Sequence, residues 1–211
     1  MDEAFTMPSA DAVTTACGSF FGNDKYDPDS ALTELFTKYP KNDNFDHVLL
    51  KVAALNTLYS TMIRVYGNHP TVYDVTRHIV DMNIDPGLDL CLPKLVHKIS
   101  MIEKDNKPYY HYSFATKFCS FHRPESYPIW DSRVDEYLGQ LRNREKHKES
   151  GFPQFKRKDL WNYPEFKKIV TEMRDHYGLQ EFSFKQIDGF LFCEGGKLLE
   201  AKEKQKNRGD A

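Results

Sequence analysis

Cysteine is sparse, and what there is does not cluster. Cys17, Cys91, Cys119 and Cys193 form no CxxC pair. That spacing excludes the usual zinc frameworks and a disulfide scaffold, and it predicts free thiols in a reducing, cytoplasmic setting. Long apolar runs are missing too: no stretch approaches the ~18 consecutive apolar residues that a membrane span needs. Asp2 and Glu3 stand where a secretory signal would have a basic start, so no signal is expected. The sequence has no GxxxxGK[ST], GxSxG, HExxH or GxGxxG. The eight histidines are scattered without metal-ligand spacing, so neither a metal site nor a cofactor is expected. Strand signals are weak, with no sustained alternation and no Asn-Gly hairpin.

Large rings are plentiful. The 211 residues include 15 Phe, 12 Tyr and 2 Trp, enough to fill a sizeable core. The length fits one domain. Residues 1–27, rich in small and polar residues, are expected to form a flexible N-terminal arm. Residues 28–200 are expected to form a single helical domain, and 201–211 a polar tail that frays. Charge is unevenly spread. Residues 1–46 carry nine acidic against three basic side chains, whereas 141–158 carry seven Lys/Arg against two Glu. That basic stretch can contact phosphates through Arg142, Arg144, Lys146, Lys148, Lys156, Arg157 and Lys158.

Helix signals follow one another along the middle of the chain. Asp29-Ser30 opens a helix that stops at Pro40, and Asn44 caps one expected to run to about Gly67. Thr71 and Asp74 make a capping box, as do Ser183 and Gln186. Residues 89–102 read as a helix with Pro93 in its first turn. Residues 109–122 form a stripe of Phe114, Phe118 and Phe121. Pro164 opens a later helix that Gly178 ends. The expectation is an all-α fold of about eight helices.

One segment concentrates potential chemistry: SFATKFCSFHRPESYPIWDSRVDEYL, residues 113–138. It reads as a helix, a turn with Pro124 and Pro128, then a second helix capped by Asp131. A capping carboxylate accepts backbone N–H bonds and is favoured in its ionised form by the helix dipole. Such an aspartate can stabilise a developing cation or orient a water.

The run Ile129-Trp130-Asp131-Ser132-Arg133-Val134, a small apolar lead into an aspartate that starts a helix, resembles the catalytic segment of the helix-hairpin-helix DNA glycosylase superfamily. FDHVLLKVAALNTLYSTMIRVYG (45–67) is similar to that superfamily's early helix and its DNA-facing turn, with Asn56, Thr57, Tyr59, Ser60 and Thr61 in the turn region. The resemblance covers residues 45–145 and implies a helix-hairpin-helix glycosylase-like fold. The sequence departs from the pattern at NKPYYHYSF (106–114), which has none of the glycines of the superfamily hairpin. The same segment also resembles a group of uncharacterised proteins with a Tyr-Ser-Phe-Ala-x-Lys core.

The implied activity is base excision, with AP-lyase chemistry if Lys117 is the nucleophile. A neutral amine attacks the sugar's anomeric carbon, the base leaves, and a Schiff base forms. Without a lysine in place, Asp131 alone supports hydrolytic removal. A gapless alignment puts His111 or Tyr112 in the lysine position. The target base must be flipped from the stack, with Tyr59, Trp130 or His122 as the sandwiching rings and Asn56, His111 and Arg133 as further substrate contacts. The implied partner is duplex DNA. The alternative reading is a non-catalytic helical interaction module on the same scaffold, holding a partner protein through its acidic N-terminal arm and exposed rings.

Overall fold

The computed structural model describes residues 5–21, 28–146 and 151–209. These residues are mostly helical, as expected, and no helix among them is long and apolar enough to cross a membrane. The chain divides into two compact units, one of residues 25–129 and one joining 1–24 to 130–211. The boundary therefore falls inside the stretch expected to be a single domain.

Helix α1 (Ala10–Phe21) belongs to the other unit; in the 25–129 unit the order is α2 (Pro28–Lys38), α3 (Phe45–Tyr59), α4 (Val72–Asp81), α5 (Asp85–Asp89), α6 (Lys94–Ser100), a hairpin, and α7 (Tyr112–His122). Helix α3 is central and packs against α2, α4 and α7. It starts as the sequence predicts, with Asn44 accepting from the His47 amide at 3.0 Å. It ends at Tyr59, well short of Gly67. Ser60 and Met62 adopt left-handed backbone, and Met62 is 84% exposed, so the apolar period does not continue through it. The cause is local. The Asn56 side chain accepts from the Ile63 amide and the Thr61 hydroxyl and donates to the Ile63 carbonyl, each at 2.9 Å. These bonds turn the chain away from the helix axis. The capping box at Thr71 and Asp74 is present and opens α4.

The strands β1 (Met101–Lys104) and β2 (Lys107–Tyr110) pair antiparallel between α6 and α7. Their turn residues, Asp105 and Asn106, both have positive φ, 52° and 58°. That is the backbone of a two-residue hairpin turn, and Asp and Asn tolerate it better than other non-glycine residues. A hairpin without Asn-Gly was not foreseen. Lys104 anchors it, donating to the Asp74 carboxylate at 2.8 Å and the His69 carbonyl at 3.0 Å.

The other unit contains α1 (Ala10–Phe21), α8 (Ser132–Glu145), a 3₁₀ turn (Arg157–Trp161), α9 (Tyr163–His176) and α10 (Phe184–Gly209). Helix α10 packs against both α8 and α1. Residues 5–21 are therefore not a loose arm. Val13 and Ala16, three apart on α1, are buried. Phe5 stacks on Tyr137 at 5.0 Å, and the Tyr137 hydroxyl donates to the Thr6 carbonyl at 2.7 Å. The expected polar tail continues α10 to Gly209, with residues 202–207 exposed, and Lys202 reaches back to Glu136 at 2.6 Å. Gly178 ends α9 with a φ of 66°, and Ser183 with Gln186 caps α10 reciprocally.

Candidate functional site

Helix α7 places Ser113 and Lys117 one turn apart on the same face, because residues four apart are neighbours on a helix. The Lys117 side chain is only 2% exposed. Its Nζ donates to Ser113 Oγ at 2.7 Å and lies 5.8 Å above the Tyr59 ring. Tyr59 meets the ring of Phe121 edge-on at 5.6 Å. Lys117, Ser113, Tyr59 and Phe121 thus form one half-open cluster, which joins two of the residues expected at the site.

His122 faces elsewhere. Its ring packs among Phe36 at 4.8 Å and Phe118 at 5.1 Å. Nε2 lies 3.2 Å from Asn42 Oδ1 and 3.5 Å from Lys51 Nζ. Burial, then the charges of Lys51 and Arg123, hold its pKa down to about 2. The ring is neutral and enclosed, so the expectation that it sandwiches a flipped base is corrected: it is a core ring.

Lys51 is the polar residue that the sequence reading missed. It is fully buried, and its Nζ donates to the carbonyls of Tyr39 and Lys41 at 2.9 and 3.0 Å and to Asn42 Oδ1 at 2.7 Å. Asn42 in turn donates to Asp85 at 2.7 Å. The amine sits against the rings of Phe36 and Phe118. Burial lowers its pKa to about 8, against the upward pull of Asp85 and Asp43. The signal was present: Lys51 follows Val48 by three and precedes Leu55 by four, on the apolar stripe of α3. Its bonds hold the segment just past the end of α2.

Asn56, expected at the substrate, has its amide committed to the loop after α3, as described. His111 precedes α7, and its backbone amide donates to the Ser100 carbonyl at 2.8 Å. Its Nε2 is buried and without a partner, and burial, with the charge of His69 second, lowers its pKa. Burial pushes the Asp74 carboxyl upward, but bonds from Lys104 and Thr71 outweigh it and hold the group below its ordinary value.

In the unit containing 130–211, Asp131 is the cap that the sequence predicts. Its Oδ1 accepts from the amides of Arg133 and Val134 at 3.0 and 3.1 Å. Trp130 is buried, its ring 4.3 Å from that of Trp161. The exposed Arg133 lays its guanidinium 4.0 Å over the Phe192 ring. The basic stretch is less available than its composition suggests. Arg157 Nε donates to Asp135 at 2.9 Å, and its Nη2 lies 3.5 Å from Glu136. Arg144 covers the ring of Phe5, and Arg142 donates to Asn143 at 2.8 Å. Lys146, Lys156 and Lys158 are exposed, and Lys148 lies outside the described residues.

These features define a mostly helical protein with a buried lysine bonded to a half-buried serine on one unit and a capping aspartate on the other. The family HI_0787_N, an N-terminal domain, matches residues 15–126. The chain is also 33% identical over 163 residues to an uncharacterized protein of Haemophilus influenzae (strain ATCC 51907 / DSM 11121 / KW20 / Rd), covering 76% of this chain and 73% of that relative. The chain belongs to the HI_0787_N family. The matched domain ends three residues before the unit boundary, so it includes Lys51, Tyr59, Ser113 and Lys117 and stops short of Asp131. No solved structure matches the chain.

Proposed function

We propose that this chain is a DNA base-excision glycosylase-like protein, with AP-lyase chemistry at Lys117, acting on a base flipped from duplex DNA. The observation that supports it most is the Lys117 amine. It is withdrawn from bulk water, oriented by its 2.7 Å bond to Ser113 Oγ, and set over the aromatic face of Tyr59. A nucleophilic amine needs this kind of fixed, poorly hydrated setting. Attack of neutral Nζ on the anomeric carbon breaks the glycosidic C–N bond. The bonding electron pair leaves with the base, which takes up a proton. Loss of the amine's proton and opening of the sugar ring then give the Schiff base. Tyr59 is the ring best placed to stack on the extruded base, because it already borders the amine. A glycosylase-like scaffold and a reducing, cytoplasmic setting are parts of this reading, the latter supported by four free cysteines.

Borohydride trapping on duplexes carrying an abasic site or damaged bases tests it. The expected result is a covalent adduct with the parent chain that Lys117→Ala removes. A parent that never traps refutes the lyase assignment.

The loop after α3 favours a second reading, the non-catalytic interaction module. Met62, Val65 and Tyr66 stand 84%, 56% and 83% exposed on a backbone held by Asn56 and Lys104. Under this reading no adduct forms, and Lys117→Ala changes no binding property.

A further inference from the structure

A serine hydroxyl is a weak nucleophile until a base within hydrogen-bond reach takes its proton. On α7 the Lys117 Nζ lies 2.7 Å from Ser113 Oγ, inside the range of about 2.6–3.2 Å that such a transfer needs. The spacing of four on one helix makes this contact a property of the local fold. The two members are unequally placed. Lys117 is 2% exposed, whereas Ser113 is half-buried, so the serine is the member of the pair that solvent reaches. Lysine serves as a general base where it is withdrawn from water.

Two further features suit acyl transfer. Ser113 lies in the first turn of α7, where the amides of Ser113 and Phe114 have no helix carbonyl to donate to, and His111, just before the helix, makes no side-chain cap bond. First-turn amides are natural donors to the oxyanion that forms when a hydroxyl attacks a carbonyl. Beside the amine stand two half-buried rings: Tyr59, with Nζ 5.8 Å from its centre, and Phe121, which meets Tyr59 edge-on at 5.6 Å. Rings bordering a reacting pair favour an apolar group on the substrate.

We propose that Ser113 and Lys117 form a serine–lysine dyad that hydrolyses carboxylic esters with an apolar acyl group. Ser113 Oγ attacks the ester carbonyl as its proton passes to the neutral Lys117 Nζ. The tetrahedral oxyanion accepts from the first-turn amides of α7. The carbon–alkoxide bond then breaks, and the alkoxide takes the proton from Nζ and leaves as the alcohol. Water attacks the acyl-serine, giving its proton to Nζ. Release of the carboxylic acid returns that proton to Ser113 Oγ. The activity shares Lys117 with the base-excision reading, but it uses the amine as a base and does not rest on that reading.

The test uses the full chain, with p-nitrophenyl butyrate as substrate and diisopropyl fluorophosphate as covalent probe. The expected result is turnover above the solvent background and a phosphoryl adduct, formed as fluoride leaves, that mass spectrometry maps to Ser113. Ser113→Ala should reduce turnover to background and abolish the adduct, with the helical circular dichroism unchanged because alanine is the better helix former. Lys117→Met should lower kcat/KM by about 10²–10⁴-fold, the effect of losing a general base. A parent that shows no turnover or no adduct overturns the proposal. So does an adduct on Lys117 or any residue other than Ser113, or turnover that survives Ser113→Ala. Mapping the adduct needs only the parent and decides the matter even if a variant misfolds. Borohydride trapping reads the amine as a nucleophile and these assays read the serine, so failure of one reading is distinguishable from failure of the other.

Discussion

Gly195→Ala should destabilise the protein where its neighbour Gly196→Ala should not. A Cβ at Gly195 would lie 2.1 Å from the Arg133 carbonyl oxygen and 2.6 Å from its carbon, both backbone atoms. No rotamer change relieves such a clash. Helix α10 must draw back from the first turn of α8 by about 1 Å to restore an ordinary contact. Both packed helices carry buried apolar side chains, Val134 and Leu138 on α8 and Leu191 and Leu198 on α10. Overpacking of this kind costs about 1–3 kcal/mol, and rigid backbone on both sides favours the upper end. Alanine's better helix propensity offsets about 1 kcal/mol, leaving a net loss of about 2 kcal/mol. For a chain of this length that is a fall in Tm of about 4–8 °C. At Gly196 the nearest atoms are 3.7 Å away, so propensity alone acts and stability should rise by about 0.5–1 kcal/mol. Urea unfolding followed by circular dichroism, with Tm as a second measure, reads both variants. Equal effects at the two glycines, or a neutral Gly195→Ala, would refute the argument that α10 is seated against backbone.

Other outcomes follow from individual contacts. Lys51→Met removes the donor to two carbonyls and Asn42 and should cost about 1–3 kcal/mol in urea unfolding; a neutral result would mean that those acceptors find water. The Lys51 pKa in the folded chain, about 8, lies below its ordinary 10.5, so its contribution is fully present above pH 10.5 and lost as pH falls through 8. The urea midpoint of the parent should therefore rise relative to that of Lys51→Met between pH 7 and pH 10.5, and a gap independent of pH would contradict the shift. Asn56→Ala should free the loop at 60–63, seen as faster amide exchange at Ile63 with α4 still protected; unchanged exchange would show that the loop holds without the amide. Asp131→Ala should cost about 1 kcal/mol through loss of the cap, whereas Asp131→Asn should melt with the parent. If the carboxylate is catalytic, the Asn variant is stable but inactive in strand scission at abasic sites. If it only caps, the Asn variant is indistinguishable in both assays.

Local chemistry made much of the helical framework legible in advance. Asn44, Thr71, Asp131 and Ser183 announce helix starts because a short polar side chain bonds amides two or three residues away. Gly178 announces an end because it takes up left-handed backbone readily. These effects act within one turn and need no partner. The same holds for Ser113 and Lys117, whose pairing is a consequence of helical spacing. The hairpin at 101–110 was not legible, since Asp105 and Asn106 are only permissive of its turn and Lys104 anchors it to residues some thirty positions away. The early end of α3 was hidden similarly: the apolar period runs on past Tyr59, and only the Asn56 bonds to Thr61 and Ile63 show where the helix stops.

What the sequence by itself determined is the mostly helical class and most helix starts, because these follow from interactions along a few residues of chain. It also placed the capping aspartate and the lysine on their helices. Only the tertiary structure decided that Lys51 is buried among carbonyls, that His122 is a core ring, that Arg157 is neutralised by Asp135, and that the N-terminal residues pack on α8 and α10. Each of these depends on which distant groups meet, and burial and charge pairing are properties of that meeting rather than of the residue type. The division at 129/130 belongs with them, since no change in composition marks it and it exists only in the pattern of contacts.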